Sequence, residues 1–119
     1  MTERTLTITT NPDWQGALRA LGRRVDATKT YQGEFLNFHT AGDFFGRLTE
    51  NRWELVRALQ GQGEMSVREL ARRAERDVRR VHDDVMALAE LGLIERTKSD
   101  GVVCPFADIR IDMHLRAAA

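Results

Sequence analysis

Twenty residues decide the fold: "SVRELARRAERDVRRVHDDV", residues 66–85. They hold six arginines around valines and leucines at the three- and four-residue spacing of helices that bury one face. Residues 66–82 contain these six arginines and only three acidic residues, a local excess of three positive charges. The whole chain, by contrast, carries 18 basic and 18 acidic side chains. The stretch is therefore either a solvated helical surface or a docking surface for a polyanion.

Two helices are predicted inside this stretch. Ser66 and Glu69 form the S-x-x-E pattern of a capping box, which predicts a helix of about two turns. Asp77 is placed to begin a second helix, which Gly92 ends. The predicted inward residues are Val67, Leu70, Ala71 and Ala74 in the first helix, and Val78, Val81, Val85 and Leu88 in the second.

Helices precede this stretch and strands follow it. "AGDFFGRL" (41–48) predicts a short helix, and Thr49 is placed to cap the next one, "ENRWELVRALQG". The Asp-Gly pair of "KSDG" (98–101) predicts a hairpin. Beyond it, apolar residues alternate with polar ones, which predicts a strand with one buried face. The apolar residues of that strand are Ile109, Ile111, Met113 and Leu115.

The N-terminal part predicts a separate small lobe. "TLTITT" (5–10) and "EFLNFH" (34–39) have the alternating or aromatic character of strands, and Asn11 with Pro12 suits a helix start between them. The predicted fold class is α+β. A strand–helix–strand lobe of residues 1–39 serves dimerisation or partner binding, and residues 40–119 form a winged helix-turn-helix with a C-terminal strand.

The arrangement of the arginines favours DNA reading. Three helices followed by a hairpin is the order of a winged helix-turn-helix, whose recognition helix presents its N-terminal residues to base edges. Arginine suits that role because its planar fork can donate two hydrogen bonds to guanine. The helix from Asp77 is predicted to carry arginines outward over its first turns. The predicted DNA-binding residues are Ser66, Arg68, Arg76, Arg79, Arg80, His82, Asp83, Arg96 and Lys98.

Several of these residues could instead have purely structural roles or be solvated surface charges. Arg79 and Arg80 lie three or four residues before two aspartates, Asp83 and Asp84, so they could form surface ion pairs. Asp83 could also hold a neighbouring arginine extended. His82 lies at the edge of the buried stripe and suits either packing or a phosphate contact. The basic residues of the hairpin suit either solvated charge or contact with the DNA backbone.

The strings "S-RELAR" and "RDV-RVH-DV-AL-ELGLI", with "RW-E-L" before them and "P---I-I" after them, resemble a prokaryotic family of predicted winged-helix transcriptional regulators. That family is MarR-like in the order of its helices and wing, and some members are antitoxins encoded beside small toxins. The resemblance covers roughly residues 40–113. It implies that Arg76, Arg79, Arg80 and His82 face DNA.

Other chemistries find little support in the sequence. Cys104, the single cysteine, lies in a strand-like run and is predicted to be a small buried hydrophobe. The three histidines are scattered, and no metal-ligand spacing or phosphate loop is found. We therefore expect no enzyme activity, no cofactor and no metal. The start "MTERTLTITT" lacks a long apolar run, so we expect a cytoplasmic protein without a membrane anchor.

The sequence thus predicts a sequence-specific DNA-binding transcriptional regulator, a homodimeric repressor. Two alternatives remain open. In the first, the protein is an antitoxin that represses its own operon while its N-terminal lobe binds a small toxin. In the second, the winged helix is a protein–protein interaction module that does not bind DNA.

Overall fold

The computed structural model describes residues 3–10 and 33–114, and its elements confirm the α+β class. The predicted helix after Asn11 lies outside the described residues. The strands are β1 (Arg4–Thr10), β2 (Glu34–Phe38), β3 (Glu95–Arg96), β4 (Val102–Val103) and β5 (Phe106–Asp112). The helices are α1 (Ala41–Arg47), α2 (Glu50–Leu59), α3 (Val67–Ala74) and α4 (Val78–Leu91).

The chain divides into two compact units. The sheet unit comprises Arg4–Gly46 and Asp108–Ala119, and the helical unit comprises Met1–Glu3 and Arg47–Ala107. This division differs from the sequence boundary after His39. Helix α1 stays with the sheet unit, where the rings of Phe38 and Phe44 meet edge to face with centroids 5.5 Å apart.

The sheet unit holds a three-stranded sheet in the order β2-β1-β5. Strands β1 and β2 are parallel, with Leu6 opposite Glu34 and Ile8 opposite Leu36. The strand predicted from "TLTITT" is therefore confirmed, and its alternating residues Leu6 and Ile8 are buried. Arg4 at the start of β1 forms an ion pair with Glu34 at 2.7 Å (Nη2 to Oε1).

The prediction that the apolar residues of the C-terminal strand form a buried face is wrong. Phe106 at its start is buried, but Ile111 is 47% exposed, and Ile109 and Met113 are only partly buried. Leu115 lies outside the described residues. The alternation in sequence identifies the apolar side of a strand, but whether another element covers that side depends on tertiary packing.

Side-chain caps begin the three helices of the helical unit, as predicted. The Thr49 hydroxyl accepts from the Arg52 N–H, the Ser66 hydroxyl from the Glu69 N–H at 3.0 Å, and the Asp77 carboxylate from the Arg80 N–H. The second half of the predicted capping box differs from the expectation. The Glu69 carboxylate accepts from arginines of α3, because two guanidinium groups lie within reach one turn later.

The core of the helical unit forms where α2 and α3 pack against α4. Val81, Val85 and Leu88 of α4 are fully buried, as predicted. The prediction that Val78 also points inward is wrong, because its side chain is 44% exposed. Side chains on a helix tilt toward its N-terminus, so a residue at the first helical position extends past the packed length of the helix.

The predicted hairpin is present, and it is attached to the segment before α3. Strands β3 and β4 are antiparallel, and Asp100 in the turn adopts a left-handed φ of 65°. Met65 and Val102 exchange two backbone hydrogen bonds of 3.0 and 2.8 Å. A side chain at Gly101 would bring a Cβ to 3.1 Å from the Met65 carbonyl oxygen, so this close approach favours glycine.

Glu64 strengthens the same attachment. Its Oε1 accepts from the hydroxyl of Thr97 at 2.6 Å and from that of Ser99 at 2.8 Å. These hydrogen bonds, with that from Thr97 the more important, lower the pKa of the Glu64 carboxyl below its ordinary value. The turn of the hairpin is thereby held to the segment that leads into α3.

Candidate nucleic-acid interface

A cleft of about 620 Å³ opens in the helical unit between the start of α3, one side of α4 and the β3–β4 hairpin. It brings together six of the nine residues that the sequence predicts for DNA binding, and it leaves out Arg76, Arg80 and Lys98. The six are Ser66, Arg68, Arg79, His82, Asp83 and Arg96. The other lining residues are Val67, Val78, Met86, Asp100, Gly101 and Val102.

Helical spacing explains which side of α4 lines the cleft. Val78, His82 and Met86 are four residues apart and therefore lie one above the other on the helix surface. Arg79 and Asp83 form a second such column beside them. This side of α4 borders the buried stripe, so the core holds it in place while its side chains stay accessible.

The six arginines of residues 66–85 separate into two groups, and ion pairs occupy the first group. Arg72 and Arg73 both donate to the Glu69 carboxylate, with Nε–oxygen distances of 3.0 Å. Hydrogen bonds from Arg72 and then Arg73 lower the pKa of Glu69 to about 2. The negative charge of Glu69 therefore persists at neutral pH and offsets part of the charge of these two arginines.

Arg76 belongs to a second ion-pair cluster, which we call the Asp84 cluster (Arg52, Arg76 and Asp84). Asp84 Oδ2 lies 2.7 Å from Arg76 Nη2, and Asp84 Oδ1 lies 3.0 Å from Arg52 Nε. The side chains of Arg76 and Asp84 are only 19% and 18% exposed. The prediction that Arg76 stands outward to meet DNA is therefore wrong, because the short turn between α3 and α4 directs this side chain back onto Asp84.

Arg68, Arg79 and Arg80 form the second group of arginines. All three are exposed, and none has an ion-pair partner within residues 3–10 and 33–114. The surface ion pairs considered for Arg79 and Arg80 are thus not found among those residues, and both oxygens of Asp84 instead pair with Arg52 and Arg76. The local positive charge is concentrated at the first turns of α3 and α4.

The remaining charged residues of the cleft are held loosely. His82 is 55% exposed, so the packing interpretation of this histidine is not supported, and its Nδ1 lies 3.9 Å from Asp83 Oδ1. Asp83 contacts no arginine within hydrogen-bond distance in the described chain. Arg96 lies 3.7 Å from Asp100, whose side chain is 94% exposed. These long contacts leave the side chains free to rearrange around a ligand.

Sequence reasoning missed two features of this region. It predicted a core position for Val78 and no role for Met86, yet both line the cleft, since the first turn of a helix is where a buried stripe ends. It also missed the Asp84 cluster. The signal was Asp84 itself, three residues after buried Val81 and four before buried Leu88, where a carboxylate needs a positive partner.

The structure also gives evidence on the cysteine, on metal binding and on membrane spans. Cys104 is buried as predicted, and this burial raises the pKa of its thiol. Within residues 3–10 and 33–114, no group of histidine, cysteine and acidic side chains could hold a metal ion. The helices described there are all too short or too polar to cross a membrane.

The described part of the helical unit consists of three helices followed by a hairpin, and a family match covers nearly all of this unit. The model of the family described as HVO_A0114 matches residues 47–111, more than half of the chain. The chain therefore belongs to the HVO_A0114 family. The matched region contains every residue that the sequence predicts for DNA binding. No curated protein and no solved structure matches the chain.

Proposed function

We propose that this protein binds double-stranded DNA sequence-specifically, as a winged helix-turn-helix transcriptional regulator. The observation that carries the proposal is the pair Arg68 and Arg79, both exposed at the cleft and without an ion-pair partner among the described residues. The chain's own carboxylates pair with Arg72, Arg73 and Arg76. Arg68 and Arg79, by contrast, stay accessible at the starts of their helices.

The order of the elements supports the same proposal. Helix α4 follows α3 after a short turn, and the hairpin comes directly after α4. In a winged helix-turn-helix, α4 would enter the major groove with its first turns, where Arg79 and His82 lie. Arg96 and Lys98 of the hairpin would then contact the DNA backbone.

The test of this function starts with selection of bound sequences from random duplex DNA, followed by titrations at several salt concentrations. With about six phosphate contacts per dimer, the slope of log affinity against log salt should be roughly −5, because each contact releases counterions. Enrichment of one motif together with this slope is the expected result. A flat salt response without enrichment would favour the protein–protein interaction module.

We further propose that the regulator is a homodimer. A twofold protein reads two half-sites on one duplex, which raises specificity. Phe35 and Ile111, on the two outer strands of the β2-β1-β5 sheet, are 38% and 47% exposed and offer apolar contact area. Light scattering at micromolar concentration should give twice the mass of one chain. A monomer at that concentration, alone and on DNA, would contradict the dimer.

The regulatory role that we propose is repression, by a protein located in the cytoplasm. The antitoxin alternative keeps the same DNA-binding site and adds a small toxin bound by residues 1–39. This alternative stays a prediction. Co-purification of a toxin encoded beside the gene would favour it over a regulator that acts alone.

A further inference from the structure

Val78 is the most exposed large hydrophobic side chain within residues 47–107. It is 44% exposed at the first position of α4, whereas Val81 and Val85 of the same helix are fully buried. A single exposed valine is ordinary on a protein surface. Here, however, Val78 lines the cleft together with Arg79 and Arg68, so it lies inside the site proposed to bind DNA.

The major groove offers one apolar group to such a side chain. Adenine, guanine and cytosine present donors and acceptors at their major-groove edges, and thymine adds a C5-methyl group that apolar side chains contact. We propose that Val78 reads a pyrimidine C5-methyl group, so that the preferred DNA site holds thymine, or 5-methylcytosine, at the position that α4 presents to Val78. This inference rests on the proposed DNA-binding function.

The chemistry of valine fits this task. Its branched side chain has few rotamers, so little conformational entropy is lost when it contacts the methyl group. Its charged neighbour Arg79 can donate hydrogen bonds to an adjacent guanine, while Val78 has no side-chain donor or acceptor that another base could satisfy. The two residues together would read one apolar and one polar base edge from the same helical turn.

The experiment removes the contacting methyl groups first from the base and then from the Val78 side chain. In the duplex enriched by selection, each thymine is replaced singly by deoxyuridine, which differs only in lacking the C5-methyl group. At one position wild-type affinity should fall about fourfold, the value that corresponds to about 0.8 kcal/mol for one buried carbon group. Val78→Ala should bind the parent duplex more weakly by a similar factor and become insensitive to deoxyuridine at that same position.

Matched controls isolate the methyl contact. Val67→Ala removes another cleft valine, also at the first position of its helix, and should stay sensitive to deoxyuridine at that position. Val78→Ser removes both γ-methyl groups and places a hydroxyl on the same carbon, so it should also lose the sensitivity. Replacing the thymine by cytosine should lower the affinity. Replacing that cytosine by 5-methylcytosine should raise the affinity again by about fourfold, which separates the effect of the methyl group from that of the rest of the base.

The outcomes for the two proposals differ. If the wild-type protein prefers its selected duplex but no deoxyuridine changes affinity in a Val78-dependent way, the methyl contact is wrong and the DNA-binding function stands. If the wild-type protein enriches no sequence and shows no salt-dependent affinity, both are wrong. Thermal unfolding of each variant beforehand confirms that it is folded.

Discussion

Arg79→Ala should weaken binding to the preferred duplex by about 1–3 kcal/mol and narrow the gap between preferred and random DNA. Arg79 lines the cleft in the first turn of α4, where recognition helices meet base edges, and no carboxylate of the described chain pairs with it. Removing a bidentate hydrogen-bonded pair reduces binding energy only on sequences that carry the matching base. Titration against both duplexes at two salt concentrations measures the effect.

Three other single-charge variants calibrate this result. Arg80 and Lys98 are exposed but do not line the cleft, so their alanine variants should weaken all sequences about equally and reduce the salt slope by about one for each phosphate that is no longer neutralised. Arg72→Ala removes an arginine that is 71% exposed and paired with Glu69, and it should change DNA affinity least. If Arg79→Ala lowers affinity uniformly and keeps full discrimination, Arg79 only clamps phosphate and α4 does not read bases.

Asp84→Ala should lower the free energy of unfolding by about 2–4 kcal/mol. Removing one partner of a buried ion pair costs about 3–5 kcal/mol, because the other charge stays buried without compensation. The partial exposure of the Asp84 cluster reduces that value somewhat, with side chains 18% to 25% exposed. Here Arg52 and Arg76 would both lose their carboxylate partner, and Arg76 Nη1 is already buried without a hydrogen-bond partner.

The neighbouring residue gives the matched control for this stability prediction. Asp83→Ala changes the net charge by the same amount, but Asp83 is 86% exposed, so its effect should stay within about 0.5 kcal/mol. Urea unfolding followed by circular dichroism should show a midpoint about 2 M lower for Asp84→Ala, with an m value of about 1.5 kcal/mol/M. Equal midpoints for the two variants would mean that the Asp84 cluster does not stabilise the helical unit.

Local patterns were sufficient to predict most elements of the helical unit. Ser66 and Asp77 cap α3 and α4 because a short polar side chain satisfies the free N–H groups of a first turn wherever it occurs. The Asp-Gly turn of the hairpin is equally local, since it depends on one backbone conformation. The spacing of Val81, Val85 and Leu88 fixed the buried side of α4.

The candidate site could be predicted only in part. Arg68 and Arg79 lie where the sequence pattern predicts them, at the starts of two helices, and the structure shows that both line the cleft. The sequence could not show that Arg76 pairs with Asp84, since that contact forms only when the turn brings α3 and α4 together. It also could not show that Val78 is exposed. A stripe of apolar residues in the sequence does not reveal how far along the helix other elements pack against it.

By itself, then, the sequence determined where helices start, which side of each is apolar, and that positive charge gathers in residues 66–85. These properties depend on neighbours within about one helical turn, which the order of residues specifies directly. Only the tertiary structure decided which arginines remain available. Whether a charge is neutralised depends on carboxylates that folding brings within hydrogen-bond distance of it. For Arg52 and Asp84 those partners lie 32 residues apart in the chain.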